Sequence, residues 1–173
     1  MKLLREITEK ELDLKKLSKV PKEYRIRKAA KAIVMHDGKI ALMYVSKYKY
    51  HKLPGGGIRK KETIENALRR EVLEEVGCEI EILGEVGMII ELRDRWNLKQ
   101  ISYCFLAEIT GELKKQGFTK EEMKEGFVLK WVQLDEAISL LKNDKPGNDE
   151  GHFIRQRDLT FLKKADELLN HRC

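Results

Sequence analysis

Glu71, Glu74 and Glu75 stand at positions i, i+3 and i+4, and no other feature constrains this chain so tightly. On a helix turning about 100° per residue, Glu71 and Glu75 fall within ~40° of each other, with Glu74 ~60° from Glu71. Three carboxylates on one side of a helix repel, each pair costing a few tenths of a kcal/mol. A cation reverses that sign, and hard oxygen donors suit Mg²⁺ or Mn²⁺, which keep some water and bridge to substrate phosphates. The spacing predicts a helix from Thr63, as N-cap, through Val76, with Gly77 just past its end. Leu68, Val72 and Val76 form its apolar stripe. The glutamates adjoin that stripe, where a cleft would run. Just ahead lies Leu53-Pro54-Gly55-Gly56-Gly57, whose glycines let the backbone approach a ligand or metal closely. The helix N-terminus behind them favours anions. A glutamate-rich helix is ordinarily a solvated face, and Pro-Gly-Gly ordinarily a turn. Together at these spacings, those bland readings fail.

From Gly56 the pattern runs through Glu62 to Arg70-Glu71-Val72, then Glu74, Glu75 and Gly77. It resembles the Nudix box in register over residues 56–78, departing only at Cys78, where the family has an aliphatic residue. The resemblance implies an α/β fold with a mixed β-sheet sandwiched between helices. It implies Glu71, Glu74 and Glu75 as ligands of Mg²⁺ or Mn²⁺, with the carbonyl of Gly55 or Gly56. Arg70 would hold the glutamates, Glu62 would support the loop, and Gly77 would close the helix. The implied reaction is attack of water on one phosphorus of a diphosphate. The general base varies within the family: it is either a box glutamate, Glu71 or Glu74, or one from the loop before the last strand, which here offers Glu121, Glu122 and Glu125. Glu125, nearest the following strand, is favoured, against an equally weighted reading as a solvated loop charge.

The rest of the chain reads as one domain. Residues 1–24, with leucines at 3, 4, 12, 14 and 17 and ending near Pro21, read as a helical or irregular lead-in, and residues 25–173 as the domain itself. Ala29–Met35 and Ile40–Ser46 form a hairpin about Asp37-Gly38. Residues 47–61 read as loop, Glu79–Leu92 and Lys99–Leu113 as strands joined near Asp94–Asn97, and residues 114–125 as a charged loop. Phe127–Val132 reads as a strand, Asp135–Lys142 as a helix capped by Asp135, and Asn143–Gly151 as a loop. A last helix from about Phe153 to Leu169 sends Phe161, Leu162 and Leu168 inward. Strands, helix, strands, helices in that order give α/β or α+β.

Cys78, Cys104 and Cys173 are few and scattered, against a disulfide framework or structural zinc. No apolar run approaches the roughly 18 residues needed to span a bilayer, and no secretory signal opens the chain, so a cytoplasmic protein is expected. The net charge of +6 suits an anionic partner. Tyr48-Lys49-Tyr50-His51-Lys52 mixes aromatics with cations, so Tyr50 and Lys52 are candidates for base stacking and phosphate neutralisation, equally readable as a solvated strand end. Arg25, Arg27, Lys28 and Lys31 alternate along the first strand, only some on the useful face. Arg27 is the candidate chosen among them. Trp96, in a turn among charges, is a candidate contact, whereas Trp131 reads as core and Phe127 as either. Against the family's specificity signatures the chain lacks the proline-rich array of NADH-cleaving members. Leu-Arg-Asp-Arg at 92–95 stands where ADP-ribose-cleaving members carry a proline, and no tyrosine marks a diadenosine-polyphosphate site. Elimination favours a nucleoside triphosphate, ordinary or oxidised. An RNA 5′ end, ADP-ribose or a nucleotide sugar, and a non-catalytic nucleotide-binding module stay open, the last disfavoured by the intact glutamates. The family includes many dimers, and no pattern here specifies a homodimer interface.

Overall fold

The computed structural model describes residues 1–14 and 21–170, so the readings of Leu17 and Cys173 lie outside the described residues. Among the described residues, seven strands form one mixed sheet, ordered β1-β5-β6-β2-β3-β4, with β7 also paired to β3. They are β1 (Leu3–Thr8), β2 (Arg25–His36), β3 (Lys39–Val45), β4 (Tyr50–Lys52), β5 (Glu79–Arg93), β6 (Leu98–Thr110) and β7 (Phe127–Val132). Four α-helices accompany them among the described residues, α1 (Ile64–Glu75), α2 (Lys120–Glu125), α3 (Leu134–Asn143) and α4 (Asp149–Asn170), with a 3-10 turn at Asp94–Trp96. The expected α/β sandwich is what the chain forms.

Alternation along the central strands sorts side chains between two layers. Ala30, Ala32 and Val34 of β2 pack with Leu68 and Val72 of α1 and with Val76 at its C-cap. Ile33 lies in the other cluster, with Ile89, Leu106 and the α4 residues Phe153, Phe161 and Leu162. Sheet faces covered on both sides account for the unbroken apolar run in β2. The face toward α4 changes character along its length. Ile33 on β2, Ile89 on β5 and Cys104 and Leu106 on β6 are apolar core. At the other end, the same faces carry Lys31 and Arg27, Glu91 and Arg93, and Gln100 and Ser102. That polar end is where a cavity opens.

Several expectations require correction. The segment read as a helical or irregular lead-in contains β1, which pairs parallel with β5 and buries Ile7 completely. The loop read over 47–61 contains β4, paired antiparallel with β3. The charged loop contains α2, closed by a reciprocal capping box between Thr119 and Glu122 and ended by Gly126. Asp135 does not cap α3, whose N-cap is Gln133. Helix α4 begins at Asp149, with Asn148 Oδ1 accepting from the Gly151 amide at 2.9 Å. Leu168 is half-buried, and Leu169 instead packs on the core. Cys78 and Cys104 are free and buried. Among the described residues, no helix is long and apolar enough to cross a membrane.

Candidate active site

Helix α1 is positioned at both ends. Thr63 Oγ1 accepts from the Asn66 amide at 3.1 Å, and Gly77 ends the helix at φ +81°. A Cβ on Gly77 would stand 2.2 Å from the Lys114 carbonyl oxygen, so conformation and space both require glycine there. In front of the helix, a Cβ on Gly56 would stand 2.5 Å from the Glu71 carboxylate. Only a bare backbone lets the loop lie that close to the acid.

Arg70 ties loop and helix together. Its Nε and Nη2 donate to the two oxygens of Glu62 at 2.9 and 3.0 Å, and Nη2 also donates to the Gly57 carbonyl at 3.0 Å. Its Nη1 donates to Glu71 Oε1 at 2.6 Å and stands 3.6 Å from Glu74 Oε2. Hydrogen bonds from Arg70 and from the Arg59 amide lower the Glu62 carboxyl to about 2. Burial raises the Glu71 carboxyl, and Glu75 adds to this, while Arg70 opposes it.

Glu75 is buried (1% exposed). It accepts from Lys52 Nζ at 2.8 Å and from the Gly55 amide at 2.5 Å. Lys31 Nζ donates to the Gly55 carbonyl oxygen. Burial, reinforced by Lys52 and Arg157, lowers the Lys31 ammonium to about 7. These residues border a cavity of about 250 Å³ lined also by Arg27, Gly57, Arg93, Gln100, Glu150 and Arg157.

The expected metal site can be tested against this geometry. Among the described residues, no three His, Cys, Asp or Glu side chains converge closely enough to hold an ion. Glu71 and Glu75 face the cavity, but Glu74, half-buried, does not line it and lies toward Arg70 and Arg59. The donor chemistry nevertheless fits a hard divalent cation. Two ammonium groups stand against oxygens expected to bind it, Lys52 on Glu75 and Lys31 on Gly55. The loop cradle at Gly56 leaves room that a side chain would fill.

The structure sorts the other candidates. Arg27 and Lys52 line the cavity. Tyr50 does not; it is buried (4% exposed) in a small core with Val45 and Ile154. Trp96 does not line it either, and instead packs edge-on against Phe153 at 6.4 Å. Trp131, read as core, packs half-buried against the α1-side cluster. Lys52 Nζ lies 4.6 Å from the centre of the Phe127 ring. Glu125 is half-buried, and burial raises its carboxyl against the pull of Lys47. Glu122, not Glu125, reaches the cavity wall, though its carboxylate accepts from the Thr119 amide at 2.8 Å.

Residues 25–154 match the family model of the NUDIX domain. The chain belongs to the Nudix family. It is thus a Nudix hydrolase, of the kind that acts on diphosphate linkages. It is 32% identical over 116 residues to the RNA pyrophosphohydrolase of Sulfurovum sp. (strain NBC37-1), spanning 61% of this chain and 74% of that one. It is 30% identical over 118 residues to the mRNA-decapping protein D9 of Rabbit fibroma virus (strain Kasza), spanning 66% of this chain and about half (52%) of that protein. The solution structure of the E. coli ORF135 protein superposes with a TM-score of 0.61 at 19% identity, covering 86% of this Nudix chain and 94% of the other. That likeness shows the shared fold.

Sequence reasoning missed Arg93, Gln100, Glu150 and Arg157. Their signal was present as a break in apolar alternation. Glu91 and Arg93 follow Ile89 on one face of β5, and Arg157-Asp158 interrupts the buried stripe of α4.

Proposed function

We propose that this Nudix hydrolase cleaves a nucleotide-like polyphosphate with Mg²⁺ or Mn²⁺, releasing pyrophosphate from a nucleoside triphosphate as its first candidate substrate. One observation carries this reading: the cavity brings Glu71, Glu75 and the glycine loop together with Arg27 and Lys52. Glu71, Glu75 and the Gly55 carbonyl would hold the metal, with Glu74 joining from the next position on the helix. When bound, the metal would polarise phosphate oxygens and make water a better nucleophile at neutral pH. Arg70 holds Glu71 in place through a charge-assisted bond. Lys52 and Lys31 give up their present acceptors and turn toward phosphate oxygens, while Arg27 neutralises the far side of the diphosphate. Glu125, which does not line the cavity as it stands, would have to turn inward to take the proton from the attacking water, and burial raises its carboxyl as a base needs.

A triphosphate at an RNA 5′ end is the second reading, favoured by the likeness to the Sulfurovum RNA pyrophosphohydrolase and the viral decapping protein. The basic net charge of +6 supports either polyanion. The test is product release with Mg²⁺ or Mn²⁺ from ordinary and oxidised nucleoside triphosphates, ADP-ribose, dinucleoside polyphosphates and 5′-triphosphate RNA. Metal-dependent turnover of a triphosphate, free or on RNA, is expected. Turnover of none of these compounds, with nucleotide binding retained, would make the chain a binding module.

A further inference from the structure

The cavity has a second charged end that the glutamate helix does not use. Arg27, Arg93 and Arg157 all line it, and all three act on one carboxylate, that of Glu150. They differ in how fully they are compensated. Arg157 donates through Nε to Asp158 at 2.7 Å and through Nη1 to Glu91 at 3.4 Å. Arg93 donates to Glu91 at 3.0 Å and to Glu150 at 2.9 Å. Its Nε has no acceptor among the described residues, although Arg93 is 3% exposed. Arg27 donates to the neutral amide oxygen of Gln100 at 2.6 Å, without an ion pair to any described carboxylate.

Glu150 also differs from the other two acids. Glu91 and Asp158 are fully buried and fixed by their arginines. The Glu150 side chain is about half exposed, at 51%, and sits in the first turn of α4, where it can rotate into water.

We propose that this end of the cavity is a second anion subsite for a phosphate monoester carried by the substrate beyond its diphosphate. Glu150 fills the subsite until that phosphate displaces it. The proposal rests on the hydrolase reading of the same cavity, and it narrows the substrate to one more heavily phosphorylated than a plain nucleoside triphosphate, which carries no monoester beyond its anhydride chain. A phosphate offers more acceptors and more charge than the carboxylate it replaces, and guanidinium forks match its geometry. Arg27 Nη2 lies 3.3 Å from where a Cβ on Gly57 would stand, so Arg27 borders both the glycine loop and the subsite. A nucleobase finds no comparable surface there, because among the described residues no aromatic ring lines the cavity and Ile154 is its bulkiest apolar side chain.

The test is calorimetric titration of the full chain with inorganic phosphate in EDTA, for wild type, Glu150→Gln and Arg27→Met. Removing the internal competitor should tighten binding in Glu150→Gln on the order of tenfold. Losing a charged donor should weaken it in Arg27→Met on the order of tenfold. Opposite shifts cannot both come from lost folding. Equal affinities in all three proteins, or weaker binding in Glu150→Gln, would overturn the proposal. ADP-ribose and ADP-ribose 2′-phosphate, titrated in the same way, ask whether the phosphate belongs to a substrate. The phosphorylated compound should bind more tightly, and the difference should vanish in Arg27→Met. Equal binding of the two would overturn the assignment to a substrate phosphate. None of these titrations needs turnover, so a chain that binds as proposed yet hydrolyses nothing contradicts the hydrolase reading alone.

Discussion

Arg70 shows what one side chain contributes that its charge alone does not. Its fork spans Glu62, the Gly57 carbonyl and Glu71, which a lysine ammonium cannot reproduce. Hydrogen bonds to charged groups contribute about 1.5–3 kcal/mol each. Arg70→Lys is therefore expected to lower kcat/KM by about 10- to 100-fold while the fold, read by circular dichroism, is retained. Unchanged kinetics would detach the fork from catalysis. Glu62 gives the same contact a pH dependence. Its carboxyl is lowered from an ordinary 4.5 to about 2, so its stabilising effect is complete above 4.5. That effect is lost as pH falls from 4.5 through about 2. Denaturant titrations across that range should show a smaller acid dependence in Glu62→Gln than in wild type. Glu125 and Glu122 can be separated at this scale too. If Glu125 takes the proton, Glu125→Gln should lower kcat by about 10²–10⁴-fold and remove the acidic limb of the pH–rate profile. Glu122→Gln, which keeps a side-chain oxygen for the Thr119 amide, should leave kcat near the wild-type value.

Among the elements, what the sequence revealed depended on whether the signal was local. The box helix was legible because its cap, apolar stripe and closing glycine all lie within residues 63–77. The β2–β3 hairpin was legible from Asp37-Gly38, and β7 matched its expected limits, Phe127–Val132. Strand β1 was not legible, because its partner β5 lies some eighty residues away. Its flanking charges also resemble a solvated helix. Helix α2 carried a readable capping signal, Thr119 with Glu122, masked by the charge run around it. At the cavity, Glu71, Glu75 and Arg27 could be read from motif and alternation, whereas Glu74 lies aside toward Arg70. Tyr50 misled because an aromatic beside lysines looks the same whether it faces a ligand or fills a core, whereas Trp96, 41% exposed beside Arg95, lies outside the cavity lining. Strand β1 carries its own prediction. Ile7 is fully buried against the α4-side core, so Ile7→Ala should destabilise the protein by about 2–5 kcal/mol. Chemical denaturation would measure this, and a change under 1 kcal/mol would mean that β1 docks only weakly.

Across the whole molecule, one sheet face serves as core at one end and as site at the other. Stability and function meet in the buried ions between them. Asp158 is fully buried; it accepts from Arg157 Nε and from the Leu53 amide at 2.8 Å, just ahead of the glycine loop. Asp158→Ala leaves a buried guanidinium short of its counter-charge and should cost about 3–5 kcal/mol, read as a lower denaturation midpoint. The central claim is that Glu71 and Glu75 form a metal-dependent hydrolytic centre on that shared frame. Its most direct test is the rate of pyrophosphate release from the best triphosphate substrate, titrated with Mg²⁺ or Mn²⁺, for wild type and Glu75→Gln. A rate that rises with metal in wild type and is lost in a folded Glu75→Gln protein is the result expected. A rate independent of metal, or equal in the two proteins, would contradict it.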